Sequence, residues 1–174
     1  MFESHFQTFT DDANGAMGPQ RLAALRRELA RRGLHGFLIP RADEHQNEYT
    51  PPSAERLAWL TGFTGSAGAA VVLPQAAALF VDGRYTLQAP AQVDGRAFAI
   101  FNSGETAPDA WLAKQVKKGW RIACDPWLHT PAQLARYERA VKAAGGELVP
   151  ADSNPLDAIW TDRPAPPLGA VTLH

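Results

Sequence analysis

Apolar residues along the chain alternate between helical spacing and short continuous runs, and this pattern predicts a domain built from both helices and strands. In the text QRLAALRRELARRG, which follows Pro19, Leu22, Leu25 and Leu29 recur at helical spacing with arginines between them. This segment is predicted to form an amphipathic helix that packs on a sheet and ends at Gly33. The run LHGFLIP comes next and is predicted to form a buried strand.

The next part of the chain predicts a short helix followed by a β-hairpin. The text SAERLAWL starts at Ser53, a residue type that favours helix N-termini, and Gly62 is expected to end this helix. The runs GAAVVLP and AALFVDG are separated only by Gln75 and Ala76, a spacing typical of two antiparallel strands joined by a tight turn. The text RYTLQAPAQV then predicts a helix interrupted by Pro90.

The remaining apolar runs complete the predicted sheet. RAFAIFN, RIACD and ELVP are predicted strands, and helices are predicted to begin near Thr106 and at Thr130, with Pro131 in the first turn of the second one. The order is helix, strand, short helix, hairpin, short helix, strand, helix, strand, helix, strand. This order predicts a three-layer α/β domain whose mixed sheet of about six strands is flanked by helices.

Composition along the chain divides it into three parts. Residues 1–18 are polar and irregular, which is typical of a flexible leader, and residues 19–151 contain the α/β domain. In 152–174, one or two helical turns carrying Leu156 and Trp160 are expected, followed by the proline-rich text RPAPP. Closely spaced prolines favour an extended chain, so this last part is predicted to be a linker and the start of a second domain.

Charge and cysteine content narrow the classes of function. The chain has 17 Lys and Arg against 18 Asp and Glu, with no basic run longer than two residues, so nothing supports nucleic-acid binding. Neither a secretion signal nor an apolar stretch of about 20 residues is present. The single Cys124 excludes an internal disulfide and a cysteine-rich zinc site. We therefore expect a cytoplasmic protein that binds neither nucleic acid nor membrane.

The segment RADEHQNEYTPP places many polar groups directly after the first predicted strand. Asp43, Glu44 and His45 are adjacent, and adjacent side chains in an extended segment or turn point in different directions, so they should not converge on a metal ion. The helical zinc motif H-E-x-x-H is also absent. The simpler interpretation is a loop in which Asp43 caps a turn while His45 and Tyr49 form hydrogen bonds across it.

Several alternatives remain open from the residues alone. Asp43, Asp82 and Asp125 each closely follow a predicted strand, so they could form a two-metal site of a self-sufficient metal-dependent hydrolase. Aspartates at strand ends also serve as turn and cap residues, which is their more ordinary role. Arg84 follows a strand and a turn glycine, where its guanidinium can either reach a ligand carboxylate or pair with Asp82. A stand-alone interaction module is a further option, with tryptophans that fill cores and a docking face: Trp59, Trp111, Trp120, Trp127 and Trp160.

The glycine-rich text TGFTGSAGAA does not carry a known catalytic pattern. It spaces Gly62, Gly65 and Gly68 at intervals of three residues, but it matches neither a phosphate-binding loop nor a nucleophile elbow. No base can be assigned to Ser66 from the sequence. These glycines are predicted to permit tight turns and to bring a strand close to a neighbouring element.

Four segments, in order, resemble the N-terminal domain of three-domain Xaa-Pro aminopeptidases in the creatinase/prolidase superfamily: GFLIPRADEHQNEYTPPSAERLAWLTGFTGSAGAAVV, ALFVDGRYTLQAPAQVD, DPWLHT and NPLDAIWTDRPAPP. The resemblance implies a ribonuclease-H-like first domain. It also implies removal of an N-terminal residue that precedes proline, with two divalent metal ions, commonly manganese, held in a C-terminal catalytic domain. No metal ligand of that domain can be matched to a position here. The chain alone is therefore expected to bind no cofactor and to be inactive, with the catalytic domain absent.

The same resemblance implies roles for individual residues. The family's arginine in the DGRY motif reaches toward the substrate and matches Arg84, which favours a ligand role for this residue. His45, Glu48 and Tyr49 match the family's D-x-H-Q-x-E-Y loop and are expected to shape the entrance. We expect Arg84, His45 and Tyr49 to contact substrate, with Asp82 and Glu48 in support. In the parent enzyme, the domain is expected to narrow access for peptides with proline at the second position and to take part in homodimer contacts.

Overall fold

A six-stranded mixed sheet forms the centre of the computed structural model, which describes residues 15–169. The strands are β1 Gly36–Pro40, β2 Gly68–Val72, β3 Ala77–Val81, β4 Ala99–Asn102, β5 Arg121–Cys124 and β6 Glu147–Pro150. Their spatial order is β4-β3-β2-β1-β5-β6, and β2 runs antiparallel to both of its neighbours while the other pairs are parallel. The predicted hairpin and the number of strands are confirmed.

Helices cover both faces of this sheet. They are α1 Gly18–Arg31, α2 Arg56–Thr61, α3 Gln88–Gln92, α4 Pro108–Gln115 and α5 Pro131–Ala143. Side chains of β1 alternate between the two faces: Phe37 and Ile39 pack in one core cluster with α1 and α2, and Leu38 packs in the other with α4 and α5. Both faces of the sheet are therefore apolar and covered, which confirms the three-layer α/β architecture.

The first two helices form largely where the sequence pattern places them. Leu22, Leu25 and Leu29 of α1 are all buried, and full burial of a leucine stabilises a domain by roughly 1.5–3 kcal/mol. The second helix starts later than predicted, because Pro52–Ala54 forms a 3₁₀ turn and α2 begins only at Arg56. It ends as predicted at Gly62, whose φ of 87° is readily adopted only by glycine.

The last helix, α5, begins with a capping box that the sequence predicts in part. The Thr130 hydroxyl accepts a hydrogen bond from the Gln133 amide at 3.2 Å, and the Gln133 side chain accepts one from the Thr130 amide at 2.8 Å. Pro131 occupies the first turn, where a missing N–H costs nothing.

Replacing Thr130 with alanine is expected to lower the free energy of unfolding by about 0.5–2 kcal/mol, because the amide of Gln133 loses its acceptor. Chemical denaturation monitored by circular dichroism measures this change. Thr130→Ser keeps the hydroxyl and is the matched control, so it should retain most of the stability. Equal losses in the two variants would contradict the capping role.

The carboxyl ends of five strands lie at one edge of the sheet, because β1, β3, β4, β5 and β6 run in the same direction. We call this edge the carboxyl edge. It carries the loop 41–50 after β1, the turn 82–86 after β3 and the turn 125–129 after β5. It also carries the loop 62–67, which leads into the antiparallel strand β2. Polar groups that follow different strands in sequence are thus placed side by side.

The ends of the described chain adjoin the domain limits expected from the sequence. Residues 1–14 of the predicted leader lie outside the described residues, and Gly15–Met17 forms a 3₁₀ turn before α1. At the other end, the core continues beyond residue 151, because Leu156 and Trp160 are buried in the cluster that contains α1 and α2. The helical turn predicted around these two residues is present, with the Trp160 amide bonded to the Leu156 carbonyl at 3.0 Å, but it does not continue into a regular helix.

An ion-pair cluster fastens this terminal segment to α2. Asp157 accepts two hydrogen bonds from the buried Arg56, at 2.7 and 2.8 Å, and a third from Arg163 at 2.6 Å. Arg163 also donates to the Ser53 carbonyl at 2.7 Å. Bidentate arginine–carboxylate pairs fix geometry as well as charge, so the chain up to about residue 163 is anchored to the domain.

Candidate functional site

The loop 41–50 is organised around one buried carboxylate. Asp43 accepts hydrogen bonds from the backbone amides of His45 and Asn47, both at 3.0 Å, and from the Asn47 side chain at 3.1 Å. Burial alone would raise the pKa of Asp43, but the bonds from Asn47 and His45 outweigh burial and lower it. The prediction that Asp43 caps a turn is confirmed, and its oxygens are occupied by the loop itself.

Arg41 also holds this loop in place through hydrogen bonds, a role that the sequence analysis did not predict. Its Nη1 donates to the Glu48 carbonyl at 2.7 Å, and its Nη2 donates to the Glu55 carboxylate at 3.0 Å. The Thr50 hydroxyl bonds to the same carboxylate. Arg41 therefore joins both ends of the loop to the segment before α2, which holds the polar residues at positions 44–49 in place.

His45 and Tyr49 present their side chains to solvent from this loop. Tyr49 is 85% exposed, and Nε2 of His45 lies 3.9 Å from the Glu44 carboxylate. Within residues 15–169, neither side chain forms a hydrogen bond across the loop, so the prediction that His45 and Tyr49 bond across it is wrong. Both rings face a cavity of about 400 Å³ that is also lined by Asp43, Arg163 and the terminal prolines Pro166 and Pro167.

Arg84 lies on the turn that follows β3 and pairs with Asp82. Its Nε and Nη2 donate to the Asp82 carboxylate at 2.6–3.2 Å, and its amide bonds to the same carboxylate at 2.9 Å. The bonds and charge of Asp82 raise the pKa of Arg84, and the bonds from Arg84 lower the pKa of Asp82. The negative charge of Glu48 also raises the pKa of Arg84, so the turn 82–86 and the loop 41–50 interact electrostatically.

The pairing with Asp82 leaves part of the guanidinium available for a ligand. In the described chain, Nη1 of Arg84 has no hydrogen-bond partner, and the side chain is 65% exposed. A guanidinium has five N–H donors, so it can hold Asp82 on one side and a ligand oxygen on the other. The two interpretations left open by the sequence are therefore compatible.

A second Asp-Gly-Arg motif offers an internal comparison. Asp94 and Arg96 form the same contacts as Asp82 and Arg84, with the Arg96 amide at 2.9 Å, Nε at 3.0 Å and Nη2 at 2.7 Å from the Asp94 carboxylate. This second turn precedes β4, so it lies at the opposite edge of the sheet from Arg84. The local motif alone does not distinguish the two arginines, and only Arg84 shares an edge with the loop 41–50.

The three aspartates of the hydrolase alternative do not form a metal site. Asp125 bonds to the Trp127 amide at 3.1 Å and to the Asn154 side chain at 2.9 Å, while Asp82 and Asp43 are bonded to their own turns. Three strand spacings separate β3 from β5, about 14 Å, whereas two-metal sites need carboxylates around ions about 4 Å apart. No group of three or more potential metal-ligating side chains occurs among residues 15–169, so the alternative is not supported.

Large apolar side chains are also exposed on turns at the carboxyl edge. Tyr49 follows β1, Leu87 follows β3 and Trp127 follows β5, and all three are exposed. Of the other tryptophans, Trp111 and Trp160 are buried, so they belong to the core rather than to a docking face. Within the described residues, no helix has the length and apolar character required to cross a membrane.

Comparisons with known proteins give the family of the chain. The family described as Creatinase/Prolidase N-terminal domain matches residues 21–159. A probable Xaa-Pro aminopeptidase P from Arthroderma otae is 40% identical over 158 residues, which cover 89% of this chain and 25% of that protein. A protein of the same name from Coccidioides posadasii is 38% identical over 177 residues, which cover 100% of this chain and 27% of that protein. The chain thus spans about a quarter of the length of these relatives.

Solved structures agree with this match. The X-prolyl aminopeptidase of Caenorhabditis elegans, described as a cytosolic enzyme with a di-nuclear active site, superposes with a TM-score of 0.77 at 32% identity, over 84% of this chain and 26% of that one. The N-terminal domain of a cytoplasmic peptidase from Mycobacterium tuberculosis gives a TM-score of 0.62 at 26% identity, over 81% of this chain and 98% of that one. From the family match and the shared six-stranded fold, we conclude that this chain belongs to the creatinase/prolidase N-terminal domain family.

Proposed function

We propose that this chain is the non-catalytic N-terminal domain of a metal-dependent Xaa-Pro aminopeptidase, in which it shapes the access of peptides to the active site. The observation that carries this proposal is the match of nearly the whole chain to one quarter of relatives named Xaa-Pro aminopeptidase P. The reaction proposed for the parent enzyme is removal of an N-terminal residue that precedes proline.

The carboxyl edge is the proposed substrate side of the domain. Arg84 offers the free Nη1 donors to a peptide carbonyl or carboxylate, and His45 and Tyr49 line the neighbouring cavity. Asp82 orients Arg84 through its bidentate bond, and Glu48 contributes negative charge near the guanidinium. These roles require no proton transfer by the domain, because they consist of binding and orientation only.

Metal chemistry is proposed to occur outside these residues. The relative from C. elegans is described as having a di-nuclear active site, and we propose two divalent ions, most simply manganese, for the parent enzyme of this chain. Residues 15–169 do not fit such ions, since they contain no cluster of ligating side chains. We therefore assign no step that passes through a metal ion to residues 15–169.

The domain limits and assembly are part of the same proposal. We place the end of the first domain near residue 160 rather than 151, because Trp160 and Leu156 belong to its core. The exposed Tyr49, Leu87 and Trp127 are suited to contacts with the rest of a longer polypeptide or with a second subunit of a homodimer. A cytoplasmic location is proposed by analogy with the C. elegans relative, described as cytosolic.

The proposed function is tested by comparing two proteins. One is this 174-residue chain, and the other is a longer polypeptide that joins this domain to the remaining parts found in its relatives, which we call the full-length enzyme. We expect the full-length enzyme to hydrolyse Xaa-Pro peptides and the 174-residue chain not to hydrolyse them.

A further inference from the structure

The two Asp-Gly-Arg turns differ in the residue that follows the arginine. Tyr85 follows Arg84, whereas Ala97 follows Arg96. Each of these residues closes its turn with the same backbone bond, Tyr85 to the Asp82 carbonyl at 3.0 Å and Ala97 to the Asp94 carbonyl at 2.9 Å. Since the backbone and the arginine pairing are alike, Tyr85 is the feature that makes the turn at the carboxyl edge different.

The Tyr85 hydroxyl is bonded to the glycine-rich loop 62–67. It accepts a hydrogen bond from the Ser66 amide at 3.1 Å and shares a second one with the Ser66 hydroxyl at 2.8 Å. These bonds lower the pKa of Tyr85, and the nearby positive charge of Arg84 acts in the same direction. Ser66, for which the sequence offers no catalytic base, therefore has a structural partner on the Arg84 turn.

The Tyr85 ring is fixed by packing as well. It meets the buried Phe63 ring edge to face, with ring centroids 5.4 Å apart at an interplanar angle of 80°. A Cβ atom on Gly65 would lie 2.3 Å from the Phe63 ring and 2.9 Å from the Tyr85 ring, so only glycine allows this approach. The guanidinium carbon of Arg84 lies over the Tyr85 ring, 5.3 Å from its centroid.

We propose that Tyr85 is a positioning residue for Arg84. Its hydroxyl fastens the turn 82–86 to Ser66, and its ring supports the guanidinium, so that the free donors of Arg84 point out of the carboxyl edge in one orientation. The Arg96 turn lacks this support, and the Arg96 side chain is 91% exposed against 65% for Arg84. The functional part of this inference rests on the proposed substrate role of Arg84, while the ordering of the arginine does not.

The ordering is tested on the 174-residue chain by nuclear magnetic resonance. The order parameter of the Arg84 Nε–H group should exceed that of Arg96, which serves as the internal reference. In Tyr85→Phe, which keeps the ring and removes the hydroxyl, the Arg84 value should fall toward that of Arg96, near the ~0.6 that marks a flexible group. Tyr137→Phe is the control, because it removes a hydroxyl from a buried ring in the other core cluster. It should leave the order parameter of Arg84 unchanged. If the order parameter of Arg84 is the same in Tyr85→Phe as in the unmodified chain, the proposal is overturned.

The functional part is tested by kinetics of the full-length enzyme. Tyr85→Phe removes both bonds to Ser66 and is expected to lower kcat/KM for an Xaa-Pro peptide by about 3- to 10-fold, a loss on the scale of one ordinary hydrogen bond because Tyr85 acts only indirectly. In an Arg84→Ala background, the same change should alter kcat/KM by less than about 2-fold, because Tyr85 acts through Arg84. An equal loss in both backgrounds would show that Tyr85 acts independently and would overturn the proposal.

The two tests separate failure of the inference from failure of the proposed function. If Arg84→Ala leaves kcat/KM unchanged, Arg84 has no substrate role and the proposed function of this residue is wrong. The order parameters of Arg84 and Arg96 then still decide whether Tyr85 orders the guanidinium.

Discussion

Replacing Arg84 with alanine in the full-length enzyme is expected to lower kcat/KM for Xaa-Pro peptides by about 10- to 100-fold. A charge-assisted hydrogen bond contributes about 1.5–3 kcal/mol, and loss of that amount from the transition state gives a rate change of this size. Steady-state kinetics with a series of Xaa-Pro peptides measures the effect. Metal content should not change, because the residues around Arg84 include no cluster of metal-ligating side chains in the described chain.

The chain supplies a matched control for this substitution. Arg96→Ala removes an arginine with the same pairing to an aspartate two residues earlier, but at the opposite edge of the sheet. It is expected to leave kcat/KM within about 2-fold of the unmodified enzyme, as an exposed surface substitution should. Arg84→Lys keeps the positive charge but loses the planar guanidinium with its several donors. Its kcat/KM should therefore lie between that of Arg84→Ala and that of the unmodified enzyme. Equal effects of Arg84→Ala and Arg96→Ala would remove Arg84 from the substrate site.

Replacing Leu156 with alanine is expected to lower the free energy of unfolding by about 2–5 kcal/mol. Leu156 is 0% exposed and packs in the core cluster with α1 and α2, although it lies beyond the last strand. The substitution removes apolar contacts and leaves a cavity that the anchored segment cannot easily close. For a domain of this size, such a loss is a large share of the total stability.

Leu168 provides the matched control, because it lies in the same terminal segment and is 99% exposed. Leu168→Ala should change the free energy of unfolding by no more than about 0.5 kcal/mol. Urea denaturation of both variants distinguishes a terminal segment that belongs to the core from a linker that merely follows it. Equal and small effects of the two substitutions would favour the expected boundary near residue 151 over the proposed one near residue 160.

Most secondary structure could be predicted from local patterns. The leucine spacing of α1, the continuous apolar strands, the short hairpin connection at Gln75 and Ala76, and the threonine–proline start of α5 each depend on residues close in sequence. Pro90 was expected to interrupt a helix, yet it lies inside α3 at the third residue, where its missing N–H would have no helical partner anyway. The helix before it is replaced by the 3₁₀ turn Gly83–Tyr85.

The features that the sequence did not reveal depend on residues far apart in the chain. The sheet order, with one antiparallel strand between parallel neighbours, is set by packing and not by the pattern of any strand. The anchoring of the segment around Leu156 could not be predicted, because it involves the contact of Asp157 with Arg56, 101 residues earlier. The Tyr85–Ser66 contact and the bracing role of Arg41 likewise require the fold to be known.

The site is a similar mixture of predicted and unpredicted features. Asp43 as a turn cap follows from its position, and the pairing of Arg84 with Asp82 follows from their spacing. The sequence cannot show that the two Asp-Gly-Arg motifs lie at opposite edges of the sheet, since both have the same local sequence, Val-Asp-Gly-Arg. That distinction appears only when the strand directions are known, and it places Arg84 at the same edge as the loop 41–50, where we propose the substrate contact.

The most direct test is the hydrolysis of an Xaa-Pro dipeptide and a longer Xaa-Pro peptide by the purified 174-residue chain, with manganese added, beside the full-length enzyme. Release of the N-terminal residue is measured by chromatography at equal molar concentrations. We expect the full-length enzyme to cleave both peptides and the chain alone to cleave neither. Manganese-dependent cleavage by the chain alone would contradict a non-catalytic domain whose role is to position peptides for metal ions held elsewhere.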